Sequence, residues 1–165
     1  MYSKILVALD ESQLSRQAFQ QSLSLAQAFD AELHLLNVVS PLEAKYQNTV
    51  SLIGSGYYSH TTNETAEAEW QLLVANRLDY LQSLVDEATQ AGVTADFVQE
   101  IGQPEQQICQ SAKDWSADLI VIGSHGRKGL NELLMGSVSN YVSHHVPCAV
   151  LLVHQQDKSK QESLK

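Results

Sequence analysis

The stretch GSHGRKGLNELLMGS, residues 123–137, follows the apolar run Leu119–Ile122 and decides the fold. Four glycines and the adjacent cations Arg127 and Lys128 lie in these fifteen positions, in a chain that has only 8 glycines. Glycine lets the backbone adopt positive φ and lets a ligand approach closely, because no Cβ intervenes. We therefore expect a buried strand, then a loop whose N–H groups converge on an anion, then a helix.

Gly123, Gly126 and Gly129 suit the anion-binding loop, and Gly136-Ser137 lies where the helix is expected to begin. A helix start adds free N–H groups, a hydroxyl and the positive end of the helix dipole, and phosphate oxygens fit that set of donors. The segment contains neither a Walker A pattern nor G-x-G-x-x-G, because its glycines are spaced differently. A glycine-rich surface turn before an ordinary capped helix is the alternative that composition leaves open.

Apolar runs and helical periods alternate along the whole chain. Strands are predicted at residues 3–9, 31–39, 93–100, 118–122 and 147–153, with a helix in each connection. With right-handed crossovers, this order gives an α/β fold: a doubly wound, five-stranded parallel sheet with helices on both faces. Such sheets bind ligands at the carboxyl ends of the strands where the winding reverses, so we expect the site after the first and fourth strands.

The connection between the second and third strands has two parts. Residues 42–64 show no regular period and are predicted to form a long loop. A long helix is predicted from Thr65, and Gly92 is expected to end it as a C-terminal cap. Its inner face is predicted from residues at helical spacing, namely Trp70, Val74, Leu78, Leu81, Val85 and Ala88.

Length and charge limit the possible functions. The 165 residues suit one domain, predicted at 1–155, followed by a flexible polar tail at 156–165. The formal net charge of -9 argues against general binding to nucleic acid or an anionic membrane. We find no signal-peptide core or membrane span and predict a cytoplasmic protein. Cys109 and Cys148 are far apart in sequence, and we predict two reduced, structural thiols.

Individual polar residues allow several interpretations. Asp10, at the end of the first strand, could accept a ribose hydroxyl or hold a divalent cation, or it could cap the next helix together with Ser12. Val38 could border a base or simply pack in the core. His125 is a lone loop histidine, and the adjacent His144-His145 point about 100° apart, a poor pair for one metal. No catalytic pair is visible, so enzymatic activity stays uncertain.

From Tyr2 to Val153, the chain strongly resembles the universal stress protein family. The family's nucleotide motif, Gly-x2-Gly-x9-Gly-Ser/Thr, matches Gly123, Gly126, Gly136 and Ser137, and DESQLS, IGQP and VPCAVLLV extend the resemblance. The resemblance implies a Rossmann-like sheet of order 3-2-1-4-5, a homodimer and ATP at the strand ends. It places the chain in the ATP-binding branch that keeps the glycine motif.

The same resemblance implies roles for single residues. Asp10 resembles the acidic residue near the ribose and metal, Val38 resembles the adenine-bordering position, and the glycine motif supplies phosphate contacts. The complete predicted site is Ala8, Leu9, Asp10, Val38, Gly123, Ser124, Gly126, Arg127, Gly129, Gly136, Ser137, Val138 and Ser139, with Asp10 also at the metal.

These expectations combine into one predicted function. The chain is expected to be an ATP-binding stress-response or signalling module that uses Mg²⁺ or Mn²⁺ with the triphosphate and hydrolyses ATP slowly at most. The alternative is an interaction protein of the same fold that binds AMP, a cyclic nucleotide or no nucleotide. A homodimer is predicted through the apolar last strand, Ala149 to Val153, because an open edge invites uncontrolled pairing.

Overall fold

The computed structural model describes residues 2–40, 62–124 and 135–154. The strands of this part of the chain are β1 (Lys4–Leu9), β2 (Glu32–Val39), β3 (Ala95–Ile101), β4 (Leu119–Gly123) and β5 (Ala149–Val153). The helices of these residues are α1 (Gln13–Phe29), α2 (Thr62–Gln90), α3 (Pro104–Asp114) and α4 (Ser137–His145). The strands form one sheet of order β3-β2-β1-β4-β5, and every neighbouring pair is parallel. The predicted fold class and strand order are therefore confirmed.

The two faces of the sheet carry separate apolar clusters, because successive side chains of a strand point to opposite faces. Ile5, Val7 and Val121 pack beneath α1 and α2 on one face. Leu6 and Ile120 pack beneath α3 and α4 on the other face. Helices α1 and α2 thus cover one face of the sheet, and helices α3 and α4 cover the other. The winding reverses between β1 and β4, where such sheets bind ligands at the carboxyl ends.

The sequence of α1 explains how closely it packs on the sheet. Its buried stripe is Ser15, Ala18, Phe19, Ser22 and Ala26. Four of these five side chains are small, and Phe19 is the one large residue. The helix axis can therefore lie close to the strands. The helix ends at Asp30, whose φ of 55° turns the chain into β2.

The long helix α2 differs from its prediction in two respects. It begins at Thr62, so the last three residues of the loop predicted at 42–64 are helical. Their polar residue types suit a first helical turn. The rest of that predicted loop lies outside the described residues. Leu78 is 37% exposed, so its predicted inner position is wrong. The buried stripe runs instead through Arg77, Leu81, Leu84 and Ala88 at steps of four, three and four. Trp70, Val74 and Val85 are half-buried beside it.

Glycines shape both ends of β3. Gly92 follows α2 with φ 80°, a left-handed conformation that confirms the predicted helix end. Gly102 has φ 156°, and a Cβ there would lie 2.8 Å from Gln107 Nε2. Its N–H donates to Val39 O at 3.1 Å, which ties the start of α3 to the end of β2. The predicted tail at 156–165 lies outside the described residues.

Candidate functional site

The turn after β1 is held by hydrogen bonds among its own residues. Asp10 Oδ1 accepts from Ser12 N–H at 2.9 Å, and Asp10 N–H donates to Ser15 Oγ at 2.9 Å. Ser12 Oγ accepts from Ser15 N–H at 3.1 Å, so Ser12 is the N-cap of α1. Asp10 therefore orders the turn and does not itself cap the helix, and a carboxylate has further acceptor positions besides the one that Ser12 uses.

The end of β4 is joined directly to the start of α4. Ser124 O accepts from Gly136 N–H at 2.7 Å, and Ser124 N–H donates to Val153 O at 2.8 Å. Ser139 Oγ lies 2.9 Å from Ser124 O and 3.0 Å from Gly136 O, so one hydroxyl proton is shared between two carbonyls. The chain thus leaves β4, passes through residues 125–134, and returns to the same point to begin α4.

The first turn of α4 presents backbone donors. Its N-cap, Gly136, has no side chain that could bond them, and Gly136 O accepts from Asn140 N–H at 2.9 Å as a helical ladder requires. The first N–H groups of a helix have no carbonyl partner within that helix. Ser137 is exposed at the first helical position, with its hydroxyl beside these groups. Together with the helix dipole, this end of α4 suits a phosphate group.

The structure brings these two regions to one edge of the sheet. Ala8 in β1 is level with Ile122 in β4, so Asp10 and Ser124 each lie two residues beyond that pair at the carboxyl ends. The reversal of winding between these paired strands leaves a crevice beyond their carboxyl ends. Asp10 therefore lies at the end of the strand next to Ser124, whose carbonyl accepts from the first residue before α4.

Gly123 was predicted in the anion-binding loop but is the last residue of β4, level with Val153 of β5. The remaining predicted site residues divide into three groups. Ala8 and Leu9 are buried in opposite clusters, so only their backbone can reach a ligand. Val38 and Val138 are half-buried and Ser139 is buried, with its hydroxyl engaged as described. Gly126, Arg127 and Gly129 lie outside the described residues, as does His125.

Sequence reasoning missed a buried amide pair beneath the turn after β1. Asn37 is 4% exposed, and its Nδ2 donates to Leu9 O at 2.8 Å. Gln99 Nε2 donates in turn to Asn37 Oδ1 at 3.2 Å. The three residues come from β1, β2 and β3, so the pair fixes the backbone just before Asp10. A polar residue within the apolar run ELHLLNVV was the available signal.

Sequence reasoning also missed the charged side chains that α2 brings to the turn. Arg77 is buried, and its Nε contacts Glu11 Oε1 at 3.2 Å. One turn further along, burial raises the pKa of Tyr80; Arg16 lowers this pKa, while the negative charges of Asp10 and Glu87 raise it. Helix α2 therefore lies against the β1 turn and contributes charge to its surroundings.

Cysteines, histidines and acidic residues give no sign of a separate metal or redox centre in the described residues. No group of three or more of these side chains is placed to hold a metal ion there. Cys109 and Cys148 are free thiols, and burial raises the pKa of both, which disfavours the reactive thiolate. His145 stacks on Tyr141 at 3.8 Å between ring centroids. In the same part of the chain, no helix combines the length and apolarity that a membrane crossing requires.

Comparison with known proteins identifies relatives along the full fold. The model of the Universal stress protein family matches residues 1–154. Universal stress protein Sll1388 of Synechocystis is 36% identical over 158 residues, covering 92% of this chain and 97% of that protein.

Solved structures give the same architecture. That of MJ0577, a universal stress protein of Methanocaldococcus jannaschii, matches with a TM-score of 0.77 and 25% identity over 96% of this chain and 99% of the other. A universal stress protein in complex with cAMP matches with a TM-score of 0.63 and 23% identity over 93% of this chain and 97% of the other, a likeness of fold.

Proposed function

The chain belongs to the universal stress protein family, and we propose that it binds ATP with Mg²⁺ or Mn²⁺ at the carboxyl ends of β1 and β4. In this proposal, nucleotide occupancy makes it a stress-response or signalling module. The observation that carries the proposal is the start of α4 at Gly136-Ser137, which presents uncapped backbone donors beside the end of β4. The sequence match to the glycine motif supports the same ligand.

Each part of the nucleotide has a proposed partner. The triphosphate lies at the first turn of α4, where backbone N–H groups and the Ser137 hydroxyl donate to it. Asp10 accepts a ribose hydroxyl or binds the metal ion; its Oδ1 already accepts one bond from Ser12, but a carboxylate has about four acceptor positions. Val38, half-buried at the end of β2, borders the base.

We propose that the protein hydrolyses ATP slowly at most. Efficient phosphoryl transfer requires a group that positions or activates the nucleophile, together with strong charge stabilisation of the transferring phosphate. Within the described residues, the predicted site contains neither histidine nor lysine, and its one carboxylate already orders a turn. This composition suits binding better than turnover.

The alternative nucleotide is AMP or a cyclic nucleotide. The fold likeness to a universal stress protein in complex with cAMP is the reason to test this alternative. A triphosphate makes more use of the donors of α4 than one phosphate does, which favours ATP.

Mass spectrometry of the supernatant after denaturing the freshly purified protein tests the proposal. We expect ATP to be released in an amount close to that of the protein. Calorimetry on nucleotide-free protein should then rank ATP with Mg²⁺ above AMP and cAMP. Binding of none of the three would contradict the proposed function, and preference for AMP or cAMP would establish the alternative.

We further propose a cytoplasmic homodimer formed through β5. This strand is at the edge of the sheet, and Val150, Leu151 and Leu152 are only half-buried. A two-fold partner would cover the open edge. Light scattering at micromolar concentration should give a dimer, and Leu151→Lys should weaken it while ATP binding persists. A monomeric wild-type protein would contradict this part of the proposal. The two free thiols suit the reducing cytoplasm.

A further inference from the structure

A buried arginine occupies the sheet-facing stripe of α2. The other members of that stripe, Leu81, Leu84 and Ala88, are apolar and at most 1% exposed, whereas Arg77 is a cation that is 2% exposed. Removing a guanidinium from water is costly unless charged and hydrogen-bonding partners surround it. An apolar side chain at this position would avoid that cost, so packing alone does not account for an arginine.

The contact of Arg77 connects α2 to the nucleotide-binding edge. Its Nε lies 3.2 Å from Oε1 of Glu11, the residue between Asp10 and Ser12. The turn is bonded internally through Asp10, Ser12 and Ser15. Those bonds hold the turn to β1 and α1, and Arg77 adds a contact from a helix distant in sequence. Glu11 therefore lies next to the residue proposed to bind the ligand, and its contact with Arg77 holds the turn from outside.

We propose that Arg77 is a positioning residue for the nucleotide: through Glu11 it fixes the β1 turn so that Asp10 is correctly placed toward the ribose or metal ion. This inference rests on the proposed function. Binding strength depends on preorganisation, since a turn that is already ordered loses less conformational freedom when the ligand binds. The buried cation also offsets the negative charge that Asp10, Glu11 and a triphosphate bring to one edge of the sheet.

A second arginine pair provides a matched control. Arg16 Nη2 contacts Glu87 Oε2 at 2.7 Å and joins α1 to α2. Glu87 is ten residues beyond Arg77, about 15 Å along the helix. The side chains of this pair are 42% and 35% exposed, and the Arg16 guanidinium lies over the Phe19 ring. Both pairs thus join an arginine and a glutamate between α2 and another element, but Glu11 of the first pair belongs to the β1 turn whereas Arg16 of the second belongs to α1.

The first experiment measures ATP affinity in the purified full-length chain by calorimetry with Mg²⁺. Arg77→Met and Glu11→Gln should each weaken ATP binding, by roughly five- to thirty-fold, and the double variant should be no weaker than Arg77→Met, because both changes remove the charge pairing between the same two side chains. Arg16→Met and Glu87→Gln should stay within about twofold of the wild type. Wild-type affinity in Glu11→Gln, whose exposed side chain makes misfolding a poor explanation, would overturn the proposal. So would equal losses in both arginine variants.

The second experiment needs no nucleotide and separates this inference from the proposed function. Amide exchange of Ser12 and Ser15 reports the two bonds that order the turn. Exchange at both amides should be several-fold faster in Glu11→Gln and Arg77→Met than in Arg16→Met, while amides in β4 exchange equally in all three. Unchanged exchange at Ser12 and Ser15 would overturn the positioning role even if ATP binds. Faster exchange in Glu11→Gln and Arg77→Met, together with a wild-type protein that does not bind ATP, would contradict only the proposed function.

Discussion

The two ends of the sheet contain similar polar residues but use them differently. At the amino end, the Asp118 carboxylate accepts from Ser3 N–H at 2.8 Å and from Lys4 N–H at 2.9 Å. His34 pairs with Asp96 and stacks on Trp115 at 5.0 Å between ring centroids. Lys4 Nζ lies 5.2 Å from the same indole ring. These groups bind one another, so they close this end of the fold.

At the carboxyl end, polar groups orient the backbone around a set of donors. Asn37 bonds the last carbonyl of β1, Asp10 orders the turn, and Ser139 fixes the carbonyl of Ser124. The N-cap of α4 is a glycine, so its first turn receives no side-chain bond from that residue. The number of polar residues at an end of the sheet therefore does not identify a binding site. The arrangement of donors that the surrounding bonds support is more informative.

The largest expected effect is at the carboxyl end, on the glycine loop. Gly126→Val should abolish ATP binding, because a branched side chain would occupy the space that the motif predicts for phosphate. Gly126 lies outside the described residues, so this prediction comes from the sequence alone. Calorimetry should show no heat of binding while the urea unfolding curve stays close to that of the wild type. Equal ATP affinity in the variant would remove the glycine motif from the proposed site.

A smaller loss is expected for the hydroxyl at the start of α4. Ser137→Ala removes one hydrogen bond to a charged group, worth about 1.5–3 kcal/mol, and should weaken ATP binding roughly ten- to a hundred-fold. Ser143→Ala is the matched control, since Ser143 is half-buried on the same helix and its hydroxyl donates to Asn140 O at 2.8 Å. Calorimetry should find near wild-type affinity in that variant. Equal affinities in the two variants would contradict a phosphate contact at Ser137.

Changing the buried amide should lower stability. Asn37→Leu leaves Leu9 O and the Gln99 amide without their bonds to Asn37, and an unsatisfied buried group costs about 1–3 kcal/mol. Urea unfolding should report a loss in that range. ATP affinity of the folded variant should also fall, because the bonded carbonyl directly precedes Asp10. Gln82→Leu is a control, since its exposed amide bonds only Asp86 among the bonds described for that side chain. If Asn37→Leu were as stable as the wild type, the proposed support of the β1 backbone by Asn37 would be contradicted.

The fold was predictable where local sequence and burial agree. The central strands are apolar runs, as expected of strands covered on both faces, and all five strand predictions lie within two residues of the observed ends. The start of α4 was also predicted, because Gly136-Ser137 marks it. The loop at 42–64 was predicted too long at its carboxyl end, since polar residues suit a loop and a first helical turn equally.

The support of the site was less predictable, because it depends on partners distant in sequence. Periodicity favoured the apolar Leu78 over Arg77 for the buried stripe, and only the packing of α2 against the β1 turn shows why a cation lies inside. Asn37 lay within the predicted second strand without a role of its own, and its role requires Leu9 from the neighbouring strand. Ser139 was predicted as a ligand residue, yet its hydroxyl bonds the backbone that presents the donors.

The smallest effect is expected at the amino end, where the pH dependence of stability tests the closed arrangement. The N–H groups of Ser3 and Lys4 hold the pKa of Asp118 below its usual range, and the charges of the amino terminus and Lys4 act in the same direction. A carboxyl group whose folded-state pKa is lowered adds stability above its unfolded value of about 3.9, and this contribution disappears as the pH falls through the folded pKa. Asp118→Asn should therefore unfold at lower urea concentration than the wild type at pH 7, and the difference should vanish in acid. ATP affinity at neutral pH should not change, since Asp118 lies at the opposite end of the strands.

Asp114→Asn is the control for this prediction, because it removes the same charge from an exposed side chain that accepts from Gln110 Nε2. If both variants lost equal stability at pH 7, net charge rather than the paired N–H groups would explain the effect, and the contrast between the two ends would no longer hold.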